Sequence, residues 1–238
     1  MPEADDGGAG PDLLARASEV DTCAVSDALD RLNLTGVVHG LACRSGSQRR
    51  ISGRVRTVKV GPRHDDTPRP HLGAGAIMAS GPGDVIVVDN RGRLDVSSWG
   101  GILSLAASQR GIEGVVVDGA CRDVAEAAGI GFAVFARAVV PTSARGRIVE
   151  ESTGQPVTVG TVRVEPGDLV VADPSGVAFV PARAAAEVLG LAEAIMAKER
   201  AMAAAVRAGQ SIVEVMHDRS FDSVHAARRP HDKKEQGS

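Results

Sequence analysis

Tyrosine is absent from this chain, phenylalanine occurs four times and Trp99 is the lone tryptophan, so aromatic side chains make up 2% of 238 residues. Modules that hold single-stranded nucleic acid stack bases on rows of aromatic rings, and this composition argues against one. A surplus of one charge is missing as well. Lys and Arg number 27 against 30 Asp and Glu, a formal net charge of −3, which leaves no global positive field to gather DNA or RNA. Cys23, Cys43 and Cys121 are odd in number and form no C-x-x-C pair. A disulfide framework or structural zinc site is therefore not expected, and a reducing cytoplasm is the simplest home. The opening Met1-Pro-Glu-Ala-Asp-Asp-Gly-Gly lacks the basic and apolar regions of a secretion signal. Gly, Asp or Arg interrupts every apolar run well before it could span a bilayer. These absences point to a soluble cytoplasmic protein with no membrane or nucleic-acid partner, acting on a small molecule.

What is present is a core-forming composition, 43% hydrophobic and 24% charged, in which Val, Ile, Leu and Ala must do the packing. Residues 12–225 read as one domain without a linker, between polar tails expected to be disordered at 1–11 and 226–238. Leu13, Leu14, Ala17, Val20, Ala24, Ala28 and Leu32 keep a helical stripe, with Asp21 or Thr22 placed to cap a second segment. Gly53 to Val60 alternates like a half-buried strand, while Asp84 to Asp89 and Gly114 to Asp118 are apolar runs suited to buried strands. Helices are expected over Ser98 to Arg110 and Arg122 to Ala128, each followed by glycine. Phe132 to Ala136 and Val159 to Val164 read as further strands, and 182–209 as an Ala-rich helix. Pro82-Gly-Asp-Val-Ile-Val-Val-Asp recurs as Pro166-Gly-Asp-Leu-Val-Val-Ala-Asp, a repeated turn–strand–turn unit. Helices and strands alternating in the middle, with consecutive strands over 132–180, indicate an α/β domain with a mixed sheet.

Common catalytic signatures are missing: no G-x-S-x-G, Walker loop or H-E-x-x-H occurs. Gly73-Ala-Gly75 begins a dinucleotide fingerprint, but Met78 stands in place of its third glycine. The six histidines show no metal-ligand spacing and read as surface residues. The chemistry concentrates in Trp99-Gly-Gly-Ile-Leu and Val117-Asp-Gly-Ala-Cys-Arg-Asp-Val-Ala-Glu126. Gly100 and Gly101 open a helix whose bare N–H groups and dipole suit a carboxylate. Arg122 and Asp123 follow a strand at its carboxyl end, where open α/β sheets gather ligands. Arg offers a planar fork to an anion. A single carboxylate, completed by water and substrate oxygens, is how Mg²⁺ is usually held. Glu126, one turn past Asp123, shares its face. Taken alone, these residues fit a plain helix start better, with Asp123 as its cap and Arg122 in a surface ion pair.

Gly101, twenty intervening residues, then Arg122-Asp123 and Glu126 resembles the signature of the metal-dependent (class II) pyruvate aldolases. These cleave 4-hydroxy-4-methyl-2-oxoglutarate and 4-carboxy-4-hydroxy-2-oxoadipate, and share a superfamily with the regulator of ribonuclease activity A. The likeness also takes in Ser26-Asp-Ala-Leu-Asp, both Pro-Gly-Asp strands and Gly176-Val-Ala-Phe-Val-Pro181, in order. It implies an α/β/β sandwich resembling a phosphohistidine swivelling domain, assembled as a homotrimer or homohexamer. It implies Mg²⁺ or Mn²⁺ at Asp123, with Arg122 on the pyruvate oxygen and the backbone of Gly100, Gly101, Ile102 and Leu103 cradling the substrate carboxylate. An acid from a neighbouring subunit's C-terminal region is expected at the site, with Glu199 as the candidate. Many such proteins carry an acid where Gly101 stands. The implied activity is C3–C4 cleavage, or formation, in a 4-hydroxy-2-oxo acid, with oxaloacetate decarboxylation alongside. Arg137, Arg145 and Arg147 around the loop from Pro141 could bind a second substrate carboxylate or be merely solvated, and the polar loop from Arg63 could border the site. A non-catalytic regulator of the ribonuclease-inhibitor kind, or a specialised biosynthetic member of the group, are the alternative readings.

Overall fold

A computed structural model describes residues 10–45, 50–65 and 70–217. Helices α1 (Pro11–Glu19) and α2 (Thr22–Arg31) lead into short strands β1 (Val37–Val38) and β2 (Ala42–Cys43) and the long β3 (Ile51–Pro62). Next come α3 (Ala74–Met78), β4 (Asp84–Ser97), α4 (Gly101–Gln109), β5 (Gly114–Cys121), α5 (Val124–Gly129) and β6 (Ala133–Val139). A run of strands follows: β7 (Ile148–Thr153), β8 (Val157–Val159), β9 (Val162–Val164), β10 (Leu169–Asp173) and β11 (Gly176–Val180). Helices α6 (Ala185–Arg207) and α7 (Ile212–His217) come last among the described residues.

The main sheet is mixed, in the order β1-β11-β10-β3-β4-β5-β6-β2, with β7 also paired to β3. Strands β3 to β6 run parallel; β2, β7 and β10 pair antiparallel to this block, and β11 pairs antiparallel to β10 on its far side. Strand β5 is buried along its whole length, as a parallel strand covered on both faces must be. Helices α3, α4 and α5 pack on one face around Val88, Val117 and Trp99. The β8–β9 hairpin covers the other through Val157, Val159, Val162 and Val164. Helices α1, α2 and α6 close a third cluster on Leu169, Val171 and Val180 of β10 and β11. The expected α/β domain with a mixed sheet is what forms. Among the described residues no helix is long and apolar enough to cross a membrane.

The second helical segment expected within the stripe from Leu13 to Leu32 forms, capped by Asp21, which adopts an extended backbone and accepts the Ala24 N–H at 2.8 Å. Other local expectations shift. Pro11, placed in the N-terminal tail by composition, is already in the first turn of α1, where proline is favoured. Residues 1–9 and the tail at 226–238 lie outside the described residues. Val159 to Val164 is not one strand but parts of two, folded back at Gly160 with φ of 60°. The two Pro-Gly-Asp units flank the same residue of β3, since Asp84 and Leu169 both stand in register with Arg54. Each aspartate closes its turn through backbone N–H groups: Asp84 takes that of Gly81, and Asp168 those of Glu165 and Ala182.

Candidate active site

The carboxyl ends of β4 and β5 are joined edge to edge just before each chain turns into a helix. Ser98 donates its N–H to Ala120 O at 3.0 Å, and Arg122 donates to Trp99 O at 2.9 Å. Trp99, only 2% exposed, stacks on Phe132 at 6.4 Å between ring centroids and donates its indole N–H to Ser104 Oγ. That buried ring sets where Gly100 starts α4. Gly100, Gly101, Ile102, Leu103, Arg122 and Asp123 consequently line one cavity of about 460 Å³.

Asp123 stands at the start of α5 in the left-handed region, φ 55° and ψ 35°, a conformation that costs a non-glycine residue about 1 kcal/mol or more. Its side chain makes no capping bond to its own helix. Instead Oδ2 accepts the Gly101 N–H at 3.1 Å and the Arg122 Nε–H at 2.9 Å. Burial pulls this carboxyl's pKa upward, but the bonds from Gly101 and Arg122 outweigh it and hold the group below the usual range. The helix-cap arrangement that the residues alone favoured therefore does not form, although the Arg122–Asp123 ion pair does. Among the described residues, Oδ1 of Asp123 and the terminal nitrogens of Arg122 have no hydrogen-bond partner, and both residues line the cavity.

Glu126 is exposed and lies over Gly101: a Cβ on Gly101 would fall inside its carboxylate, and one on Gly100 would stand 2.8 Å from Asp123 Oδ2. The cradle expected of Gly100 to Leu103 is thus smaller than the sequence suggests. The Gly101 N–H is committed to Asp123, which leaves those of Ile102 and Leu103 as the donors of the first α4 turn. Ser98, which also lines the cavity, has a buried hydroxyl with no partner among the described residues.

These groups suit a hard divalent cation. No cluster of three or more His, Cys, Asp and Glu side chains is placed to hold a metal among the described residues. One or two carboxylates, with water and substrate oxygens filling the remaining positions, is the arrangement Mg²⁺ prefers. Asp123 lines the cavity as one such carboxylate, and the Glu126 carboxylate lies over neighbouring Gly101. Cys121, just beneath, is no nucleophile: burial pushes its thiol up to about 11.

The remaining sequence candidates separate. Arg145 lines the cavity, whereas Arg137 is bound to Asp118 on another part of the sheet and Arg147 donates to Ser143 O. Glu199 is exposed on α6, whose inner face packs on α2 and α1, and does not line this cavity within one chain. No described residue of the loop from Arg63 to Pro70 lines the cavity, but His71 and Leu72, which follow it, form a wall. The Gly73 N–H is taken by Glu150 at 2.8 Å, so the partial dinucleotide fingerprint has no phosphate to hold there. Reading the sequence missed His71, Ser97 and Ser98. They reach the cavity through long-range pairing, Ser97 with Thr142 among it, which leaves no local pattern.

This arrangement of parallel strands, with an Arg-Asp pair facing a glycine-started helix, defines an α/β protein with a polar site at the sheet's carboxyl edge. Residues 22–179 match the family described as Aldolase/RraA, and the chain belongs to that RraA-like family. It is 30% identical over 210 residues to a Halalkalibacterium halodurans protein provisionally named 4-hydroxy-4-methyl-2-oxoglutarate aldolase, covering 86% of this chain and 95% of that one. It is also 29% identical over 212 residues to protein DlpA of Legionella pneumophila, covering 89% of this chain but only 34% of that protein's length. Among solved structures, Streptomyces coelicolor RraAS2, described as an unusual member of the RNase ES inhibitor RraA family, superposes with a TM-score of 0.72. The two are 25% identical, over 81% of this chain and 96% of that one.

Proposed function

We propose that the chain is a divalent-metal-dependent lyase that cleaves, or forms, the C3–C4 bond of a 4-hydroxy-2-oxo acid through the enolate of pyruvate. Oxaloacetate decarboxylation accompanies it. One observation carries this reading: Asp123 leaves its own helix uncapped and turns its carboxylate, together with the free end of Arg122, into the cavity at the start of α4.

Asp123 and Glu126 would hold Mg²⁺ or Mn²⁺, which supplies Lewis acidity when bound. The Ile102 and Leu103 N–H groups take the substrate's carboxylate at the positive end of the helix. The Arg122 guanidinium faces the 2-oxo oxygen. As the C3–C4 bond breaks, its electron pair moves toward that oxygen, where a fixed cation stabilises developing charge. The C4 hydroxyl gives up its proton and becomes a carbonyl, and the enolate takes a proton at C3 to leave as pyruvate. Arg145 at the rim suits a second carboxylate, which favours diacids. The reading takes the chain as a homotrimer or homohexamer, with the apolar side chains Ile102 and Met78, 78% and 67% exposed, offered to a neighbouring subunit. In such an assembly Glu199 would act in a neighbour's site.

Pyruvate release from oxaloacetate and from a 4-hydroxy-2-oxo diacid, with Mn²⁺ and then with EDTA, tests the proposal. EDTA-sensitive release above the metal-only background is expected. A folded, metal-loaded protein that releases none would favour the second reading, a ribonuclease-binding regulator, which rests on the likeness to RraAS2.

A further inference from the structure

We infer that His71 is the general base that removes the C4 hydroxyl proton, an inference that rests on the lyase reading above. The reaction needs a group that accepts a proton and gives it back. Of the charged side chains lining the cavity, Arg122 and Arg145 carry only hydrogen-bond donors, and Asp123, whose Oδ2 already accepts from Gly101 and Arg122, is the residue that would hold the metal. Ser97 Oγ is spent on Thr142 O. His71 remains, and an imidazole is the side chain suited to proton exchange near neutrality.

Its surroundings define which nitrogen would act. Nδ1 lies 3.3 Å from the carbonyl oxygen of Leu72, which can only accept, so the bond places the proton on Nδ1 and leaves the Nε2 lone pair free. The wall that carries the ring is anchored. Leu72 is buried in the core, the Ala74 N–H donates to His71 O at 3.1 Å, and Glu150 of β7 holds the Gly73 N–H. Gly73 itself, with φ of 75°, lies against the Trp99 ring, the same ring that positions Gly100. The base-bearing wall and the start of α4 are thereby set by one buried side chain. The charged groups that share the cavity lining with His71 are Arg122 and Asp123 from the β5–α5 junction and Arg145 from the β6–β7 loop. Glu150 already serves Gly73 and Thr153.

In the cleavage step Nε2 takes the hydroxyl proton, the O–H electrons form the C4 carbonyl, and the C3–C4 pair passes into the enolate. The imidazolium then returns its proton to C3, so no net proton is consumed. Oxaloacetate reaches the same enolate by losing carbon dioxide and has no hydroxyl proton to remove. The two reactions therefore separate a base from a structural wall residue. In the Mn²⁺-loaded full chain, His71→Gln should lower the ratio of diacid cleavage to oxaloacetate decarboxylation by about a hundredfold or more. Free imidazole should restore part of the cleavage in His71→Gly. An unchanged ratio, or a parallel fall in both reactions, would overturn the assignment and leave His71 as wall only. Wild-type protein that releases no metal-dependent pyruvate from either substrate would instead remove the lyase reading, and this inference with it.

Discussion

Asp123 combines a strained backbone with a carboxylate held ionised by its neighbours, and the strain is concentrated where the function is proposed. Replacing Asp123 by Ala should abolish metal-dependent pyruvate release while the circular dichroism spectrum stays native; retained turnover would sink the site assignment. Arg122→Ala should lower kcat by about a hundred- to a thousandfold, the loss seen when one donor to a developing oxyanion is deleted. Arg122→Lys should rescue it poorly, because an ammonium cannot present a planar fork. Gly101 is a further residue-scale case. Its missing Cβ is the space in which the Glu126 carboxylate rests. Gly101→Ala should therefore only push aside the Glu126 carboxylate, the exposed end of a flexible side chain, and change stability in urea unfolding by no more than about 0.5 kcal/mol.

Elements are tied together here by buried aspartates at strand ends. Asp173, at the end of β10, accepts both the N–H and the hydroxyl of Thr22, at 2.9 and 2.5 Å, and so fastens α2 to the β10–β11 turn. Burial raises its pKa, while the bonds from Thr22 and Ser175 and the charge of Arg50 outweigh burial and lower it overall. A carboxyl that ionises more readily in the fold than in the unfolded chain adds stability above its ordinary pKa. That contribution is lost as pH falls through the lower, folded value. Asp173→Asn should then cost about 1–3 kcal/mol near neutral pH, and the difference from wild type should shrink as unfolding is measured at progressively more acidic pH. A cost independent of pH would mean that shape, not charge, holds this junction. The Pro-Gly-Asp units belong to the same scale. Their turn chemistry was legible because it is local, whereas their shared register on Arg54 was not.

For the whole molecule, Ile102 and Leu105 of α4 and Met78 of α3 are exposed apolar side chains, and Ile102 lies in the cavity lining. Ile102→Asp should shift the native mass, by light scattering, from a multiple of the 24.4 kDa chain toward the chain itself, and depress turnover with it. An unchanged mass would place any interface elsewhere. The alternation of apolar and polar residues, the apolar runs of β4 and β5, and the glycines that stop α4 already specify an α/β domain with a mixed sheet. They do so because burial patterns and turn chemistry act over a few neighbouring residues. The Arg122-Asp123 pair and the glycine-started helix were legible for the same reason. The direction of the Asp123 carboxylate, the loss of the Gly101 N–H to it, and the arrival of His71 and Arg145 at one cavity were decided only by the tertiary structure. Each depends on residues far apart in the chain being brought to one sheet edge, where the packing of Trp99 and the pairing of β4 with β5 set which groups meet.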